Sequence, residues 1–175
     1  MKKYYKIIFI LVFSLFLFSG CGSEVNNTNN GNRPANLKDI NGKVIEALVD
    51  DGKVLIKKNY ITDQALYVNY VLDGVQVGLI ALKDSKGEIV VVVNTCQSCG
   101  GAPYAYFVQV GDKLQCQNCG SMFSIDELND LSDDGDGCNP IPLDDMYLTD
   151  EYVVIGTGQL ANLTDKFQNW LGPKV

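Results

Sequence analysis

The sequence contains no histidine among its 175 residues. Without imidazole, the chain cannot form Ser-His-Asp or Cys-His nucleophiles, H-E-x-x-H zinc sites, or haem and Rieske centres with His ligands. The remaining side chains for catalysis or metal binding are thiolates, carboxylates, Lys and Tyr. This absence excludes the hydrolases and metal sites that depend on imidazole.

Long apolar runs are also missing. The apolar run over residues 7–18 is broken only by Ser14 and follows the basic residues Lys2, Lys3 and Lys6. A helix that spans a membrane needs roughly 20 apolar residues, so this run is too short. The sequence therefore predicts that residues 1–20 form an export signal peptide.

The signal peptide leads into Cys21. The residues F-S-G-C resemble a bacterial lipobox, although Phe18 stands where lipoboxes usually have Leu. This resemblance implies lipidation of Cys21 and a lipid-anchored protein on the extracytoplasmic face of the cell membrane. The alternative is a simple secretory peptide that leaves Cys21 as an ordinary thiol. Residues 21–36 include six Asn and predict a flexible tether.

Basic residues are few, with 14 Lys and Arg against 21 Asp and Glu. Removal of residues 1–20 would change the formal net charge from −7 to −10, because that segment carries three Lys and no acidic residue. Nucleic acid needs a basic surface, so no nucleic-acid partner is expected. The lipid anchor is the expected membrane contact.

Residues 37–175 are predicted to form a single domain that is mainly β. Asp73-Gly74 separates residues 64–72 from residues 75–82, both rich in β-branched and aromatic side chains, which is typical of a hairpin with a type I′ turn. Asp51-Gly52 predicts an earlier hairpin, between residues 43–49 and 53–57. Four consecutive valines within residues 88–94 predict a strand buried on both faces.

Helical patterns are few. Ser124 and Glu127 fit a capping box for one short helix. Apolar residues recur at helical spacing over residues 158–171 and predict an amphipathic helix that packs on the sheet. The predicted fold class is mainly β with a minor α+β part: a hairpin-rich sheet, an inserted four-cysteine metal ribbon and a C-terminal amphipathic helix.

Two similar segments carry the informative chemistry. Each has the pattern C-x-x-C-G, and we call them the first knuckle (96–100) and the second knuckle (116–120). Sixteen residues separate Cys99 from Cys116, and the turn at Gly111-Asp112 predicts a hairpin that returns the second knuckle to the first. This spacing favours a metal ribbon over about residues 94–128, with a tetrahedral set of four sulfur ligands. The candidate metal ligands are Cys96, Cys99, Cys116 and Cys119.

Other interpretations of these cysteines stay open. Exported proteins form disulfides readily, so two local disulfides or a redox dithiol would use the same residues. Four thiolates suit zinc, a single iron or an iron-sulfur cluster. The second knuckle is similar to half of a Rieske box, but Gly120 stands at the position of its His ligand. Cys138 is a possible fifth ligand, a redox-responsive thiol or a buried small residue.

The order of three segments resembles the membrane iron-sulfur protein FtrD-like family. They are C-Q-S-C-G-G, then L-Q-C-Q-N-C-G-S-M-F-S-I-D-E-L, then G-C-N-P-I-P-L. The resemblance covers about residues 51–170 and implies an extracytoplasmic iron or iron-sulfur domain, associated in some members with ferrous iron uptake. It implies a metal role for the four knuckle cysteines and extends to Cys138. Larger members have several membrane spans, so passage across the bilayer here would need a partner.

Our leading hypothesis is a lipid-anchored iron-binding protein that transfers electrons or assists a membrane transporter in iron uptake. The first alternative is a structural-zinc module that binds another envelope protein. The second alternative is a thiol-disulfide oxidoreductase. No base, substrate pocket or cofactor fingerprint is recognisable in the sequence, so no enzyme activity is assigned.

Overall fold

The computed structural model describes residues 42–131 and 137–175. This part of the chain contains twelve strands, one short α-helix and three 3₁₀ helices. The strands are β1 (Lys43–Glu46), β2 (Leu48–Asp50), β3 (Lys53–Lys57), β4 (Leu66–Leu72), β5 (Val75–Lys83), β6 (Ile89–Cys96), β7 (Phe107–Val110), β8 (Lys113–Cys116), β9 (Met122–Ser124), β10 (Pro140–Pro142), β11 (Met146–Leu148) and β12 (Tyr152–Gly156). The helices are the 3₁₀ helices Lys58–Tyr60, Ile125–Asp130 and Thr164–Phe167 and the α-helix α1 (Thr157–Ala161).

The strands form three sheets. The five-stranded sheet has the order β1-β4-β5-β6-β10, the four-stranded sheet the order β11-β12-β3-β2, and the three-stranded ribbon the order β7-β8-β9. β1 pairs with β4 in parallel, and the neighbouring strands β4, β5 and β6 pair antiparallel. The mainly β fold class predicted from the sequence is confirmed.

The centre of the five-stranded sheet is buried on both faces. Alternate residues of a strand point to opposite faces, and the four valines of β6 divide in this way between two core clusters. Val91 and Val93 join a cluster with Val54 and Val153 of the four-stranded sheet. Val90 and Val92 join a cluster with ribbon residues, which are Phe107, Leu114 and Cys116. The ribbon therefore packs on the sheet through this second core cluster.

The hairpin turns follow the predicted chemistry. Asp73 and Gly74 have φ of 50° and 80° between β4 and β5, as a type I′ turn requires. Asp51 and Gly52, at 44° and 68°, join β2 to β3. The segment before this turn is two strands rather than one, because β1 pairs with β4 while β2 pairs with β3.

The C-terminal helix is shorter than the predicted span of 158–171. It is α1 followed by a 3₁₀ helix, and Leu160, Phe167 and Trp170 are buried in the core as the pattern predicts. Leu171, which the stripe included, is 51% exposed. At and beyond the end of the 3₁₀ helix, the Lys166 carbonyl accepts from the Gly101 N–H and the Leu171 N–H donates to the Pro103 carbonyl, so these groups bond outside a helix.

Other expectations concern residues outside the described ranges. They are the signal peptide, Cys21 and the tether, and they remain predictions. Among the described residues, no helix has the length and apolar character needed to cross a bilayer.

Candidate metal centre

Each knuckle begins at the last residue of a strand. Cys96 ends β6 and Cys116 ends β8. Both knuckles form hydrogen bonds with the residues just before β7. The Cys96 N–H donates to the Ala105 carbonyl at 3.2 Å, and the Gln117 N–H donates to the Tyr106 carbonyl at 2.8 Å. Two adjacent residues thus bring the two knuckles together.

The knuckles face each other with their sulfurs converging. The Sγ atoms of Cys96, Cys99, Cys116 and Cys119 all lie within 4.8 Å of one another. The structure therefore brings together the four sulfurs that the spacing singled out, and this cluster could hold a metal ion.

The four sulfurs differ in exposure. Cys96 and Cys116, the first cysteine of each knuckle, are completely buried in the core cluster beneath the ribbon. Cys99 is half-buried, and Cys119 is exposed, with its Sγ 3.3 Å from the Ser121 hydroxyl. The cluster is therefore anchored in the core on one side and reaches the surface at Cys119.

The glycines after the two knuckles have different roles. Gly120 has φ of 79°, and its N–H donates to the Cys116 carbonyl at 2.9 Å, so glycine is favoured there for its backbone conformation. At the first knuckle the positive φ, 91°, belongs to Gly101, the residue that follows it. A Cβ on Gly100 would instead lie 2.9 Å from Cγ of Lys166, so that glycine makes room for a side chain.

The first knuckle is held by the segment before β10. The N–H groups of Gln97 and Ser98 donate to the carbonyls of Asn139 and Gly137 at 3.0 and 3.1 Å. The Ser98 hydroxyl donates to the same Gly137 carbonyl at 2.7 Å. Backbone donors of the turn are thus satisfied by a segment about 40 residues further along the chain.

The C-terminal segment bonds to the residues on either side of the first knuckle. The Gly101 N–H donates to the Lys166 carbonyl at 2.8 Å, and the Leu171 N–H donates to the Pro103 carbonyl at 2.8 Å. Between them, the Trp170 indole N–H donates to the Asn94 carbonyl at 3.0 Å, just before the knuckle. The first knuckle therefore depends on residues distant in sequence.

Comparison with known proteins agrees with this geometry. Residues 60–167 match the family described as membrane iron-sulfur containing protein FtrD-like. The chain belongs to this family. The match includes both knuckles and Cys138. No curated protein and no solved structure matches the chain significantly.

Three thiols of the centre in this FtrD-like chain have shifted pKa values. The pKa of Cys116 is lowered to about 5, mainly because Cys96 donates a hydrogen bond to it. That same hydrogen bond, together with burial, raises the pKa of Cys96. Burial also raises the pKa of Cys99. These shifts favour the thiolate at Cys116 and the protonated thiol at Cys96 and Cys99, whose protons an incoming metal ion must displace.

The structure places Cys138 beside the cluster rather than in it. Its sulfur is outside the group of four that lie within 4.8 Å of one another. Its backbone carbonyl is 3.2 Å from the Cys96 sulfur and is a second acceptor, beside Cys116, for the one S–H that Cys96 offers. Cys138 thus contacts the centre through its main chain.

Two parts of the site had no local signal in the sequence. β9 extends the expected hairpin into a three-stranded ribbon, with Gln115 opposite Met122. Lys166, 47 positions after Cys119, contacts the first knuckle. A pattern search around the cysteines could not find a residue so far along the chain.

A concave region of about 360 Å³ has none of the knuckle cysteines in its lining. Its lining includes the buried side chains of Asp84 and Gln109. Both already serve the backbone: Asp84 accepts from the N–H groups of Lys86 and Glu88, and Gln109 accepts from that of Ala65. These groups hold loops together, so we assign no ligand to this cavity.

Proposed function

We propose that this FtrD-like protein holds one iron ion in a tetrathiolate centre and acts in iron uptake, as an electron-transfer or accessory component beside a membrane transporter. The observation that carries the proposal is the convergence of four cysteine sulfurs within 4.8 Å, in a chain of a family named for its iron-sulfur content. The four sulfurs of Cys96, Cys99, Cys116 and Cys119 are the proposed ligands.

The sulfur spacing supports a single ion. Around one tetrahedral ion with metal–sulfur bonds of about 2.3 Å, the sulfurs lie about 3.8 Å apart. A spread of no more than 4.8 Å is close to that value. In an iron-sulfur cluster the thiolates are distributed over several irons, which requires a wider set of sulfurs.

The ligand residues have separate tasks in this proposal. Burial of Cys96 and Cys116 keeps water from one side of the centre and fixes the thiolates by packing. The exposed Cys119 is the proposed point where an electron or a metal ion passes to a partner. A bound iron would supply one-electron chemistry, and the protein supplies geometry, charge and access.

The location is proposed from the sequence. The predicted signal peptide, the lipobox-like cysteine and the Asn-rich tether support a lipid anchor on the extracytoplasmic face. A family described as membrane-associated is consistent with this location. Because the proposed anchor leaves the bilayer uncrossed, a transporter or redox partner would carry ions or electrons through it.

Anaerobic purification with metal analysis and a visible spectrum tests the proposal. We expect one iron per chain, thiolate-to-iron absorption bands and no acid-labile sulfide. A colourless protein with one zinc would refute the iron redox role. Several irons with sulfide would refute the single-ion centre. Cys138→Ser should keep the metal, whereas Cys96→Ser should lose it.

A structural zinc role is the second candidate, since two ligands lie in a core cluster together with Phe107 and Leu114. Zinc in that position would stabilise the ribbon, and the sheet would bind another envelope protein. The same metal analysis separates this role from the iron role. Free-thiol counts before and after mild reduction test for a thiol-disulfide oxidoreductase, which would show counts that change.

A further inference from the structure

One cationic side chain is directed at the first knuckle. The Lys166 ammonium donates a hydrogen bond to the carbonyl of Gln97 at 3.1 Å, between the two cysteines of that knuckle. Its aliphatic stem passes beside Gly100, so close that a Cβ on Gly100 would be 2.9 Å from Cγ of Lys166. The side chain is half-buried, so the ammonium is partly withdrawn from water.

No carboxylate neutralises this ammonium among the residues that the structure describes. The ion pair found there joins Lys57 to Glu151. Asp165 is adjacent, but its carboxylate accepts from the Lys166 backbone N–H at 2.9 Å. A half-buried cation is stabilised by a nearby anion, and four thiolates around one divalent ion carry a net charge of about −2.

We propose that Lys166 is a positioning residue that offsets the negative charge of the tetrathiolate centre and so strengthens metal binding. This inference rests on the proposed metal site and adds a residue to it that holds no ligand atom. The ammonium acts through the Gln97 carbonyl, which it holds in place, and through its charge. The chain has a formal net charge of −7, which repels the negative charge of the tetrathiolate centre. A cation beside the centre reduces that repulsion.

Zinc affinity of the full chain, measured by competition with a chromophoric chelator under reducing conditions, tests this role. Lys166→Met keeps the stem and removes the charge, and we expect binding about tenfold weaker, as for a charge pair at partial burial. Lys166→Arg should stay within about twofold of the wild type, because it keeps the charge. The loss in Lys166→Met should shrink as salt is raised.

Lys58 provides a matched control. It is also half-buried, and its ammonium donates to the Thr149 carbonyl at 3.0 Å, in the turn before β12. Lys58→Met removes an equal charge and an equivalent hydrogen bond, and we expect unchanged zinc affinity. If Lys166→Met does not fold, Lys166→Gln provides the same neutral state with a polar stem.

The outcomes separate this inference from the proposed metal site. Equal losses in Lys166→Met and Lys166→Arg would show a packing role and overturn it. An affinity for Lys166→Met equal to that of the wild type would also overturn it, while the metal site would stand. A wild-type chain that binds neither zinc nor iron would overturn both.

Discussion

The two knuckles share the pattern C-x-x-C-G but are held in different ways. The first knuckle is bonded by residues 137–139 and by the C-terminal segment 166–171. The second knuckle lies between β8 and β9, and its bonds run to Ser121 and to Tyr106, all within the ribbon. Identical local motifs therefore depend on tertiary contacts in one case and on a local hairpin in the other.

This difference predicts which knuckle needs the metal more. The first has hydrogen bonds from two distant segments, whereas the backbone hydrogen bonds of the second run only to nearby residues, although Cys116 packs in the core cluster. Local stability in a protein follows the density of such contacts. The following expectations test the comparison, from the largest effect to the smallest.

Removal of the metal should loosen the second knuckle first. We expect chelation, or Cys116→Ser, to remove the part of the metal's binding free energy that folds the second knuckle, out of a total on the order of 10 kcal/mol at a structural site. Hydrogen exchange should then show loss of protection at Gln117 and Gly120, with the amides of Gln97 and Ser98 less affected. Cys138→Ser is the control and should retain the wild-type pattern. Equal loss at both knuckles would contradict the comparison.

Trp170→Ala should have the reverse effect. The indole is 3% exposed, and the substitution removes both its packing on Gly78 and its hydrogen bond to Asn94. We expect the free energy of unfolding to fall by about 3–5 kcal/mol. Exchange should increase at the first knuckle more than at the second in the metal-bound protein. Trp170→Phe should recover part of the packing but not the hydrogen bond.

Metal affinity should decrease as the pH falls, chiefly through the first knuckle. The pKa of Cys96 and of Cys99 is raised, so these thiols are protonated at neutral pH and must release protons on binding. Displacing these two protons alone lowers the affinity about a hundredfold for each pH unit, between the pKa of Cys116 near 5 and the raised values. Zinc competition from pH 6 to 8 in matched buffers checks this. A slope of zero would show that all four thiols are already ionised.

The two glycines should respond differently to alanine. Gly120→Ala places a side chain at φ of 79° and should cost about 1 kcal/mol through the backbone, although a Cβ there would meet nothing within 4 Å. Gly100→Ala should act through the Lys166 stem instead. A double-mutant cycle with Lys166→Ala should therefore show coupling for Gly100→Ala and none for Gly120→Ala. Coupling at both positions would show that the knuckles are not independent.

Much of the fold followed from local chemistry in the sequence. The Asp-Gly turns, the valine strand and the apolar stripe gave the central hairpins, a doubly buried β6 and buried positions for Phe167 and Trp170. The sequence predictions were wrong where contacts with residues distant in sequence determine the secondary structure. The segment before Asp51 divides between two sheets, and the end of the predicted long helix bonds to Gly101 and Pro103 instead of forming helical turns.

The sequence by itself determined the candidate ligands. Without histidine, and with two C-x-x-C pairs at ribbon spacing, sulfur was the expected donor at Cys96, Cys99, Cys116 and Cys119. That inference is possible because ligand spacing within a turn is a local property of the chain.

Only the tertiary structure decided how those sulfurs are used. It buries Cys96 and Cys116, exposes Cys119, leaves the Cys138 sulfur outside the group and brings Lys166 to the first knuckle. These features depend on which distant segments pack together, and a periodic pattern shows which face of an element is buried but not which distant segment covers it. The motif specifies the ligand atoms, and the fold specifies their burial, charge and access.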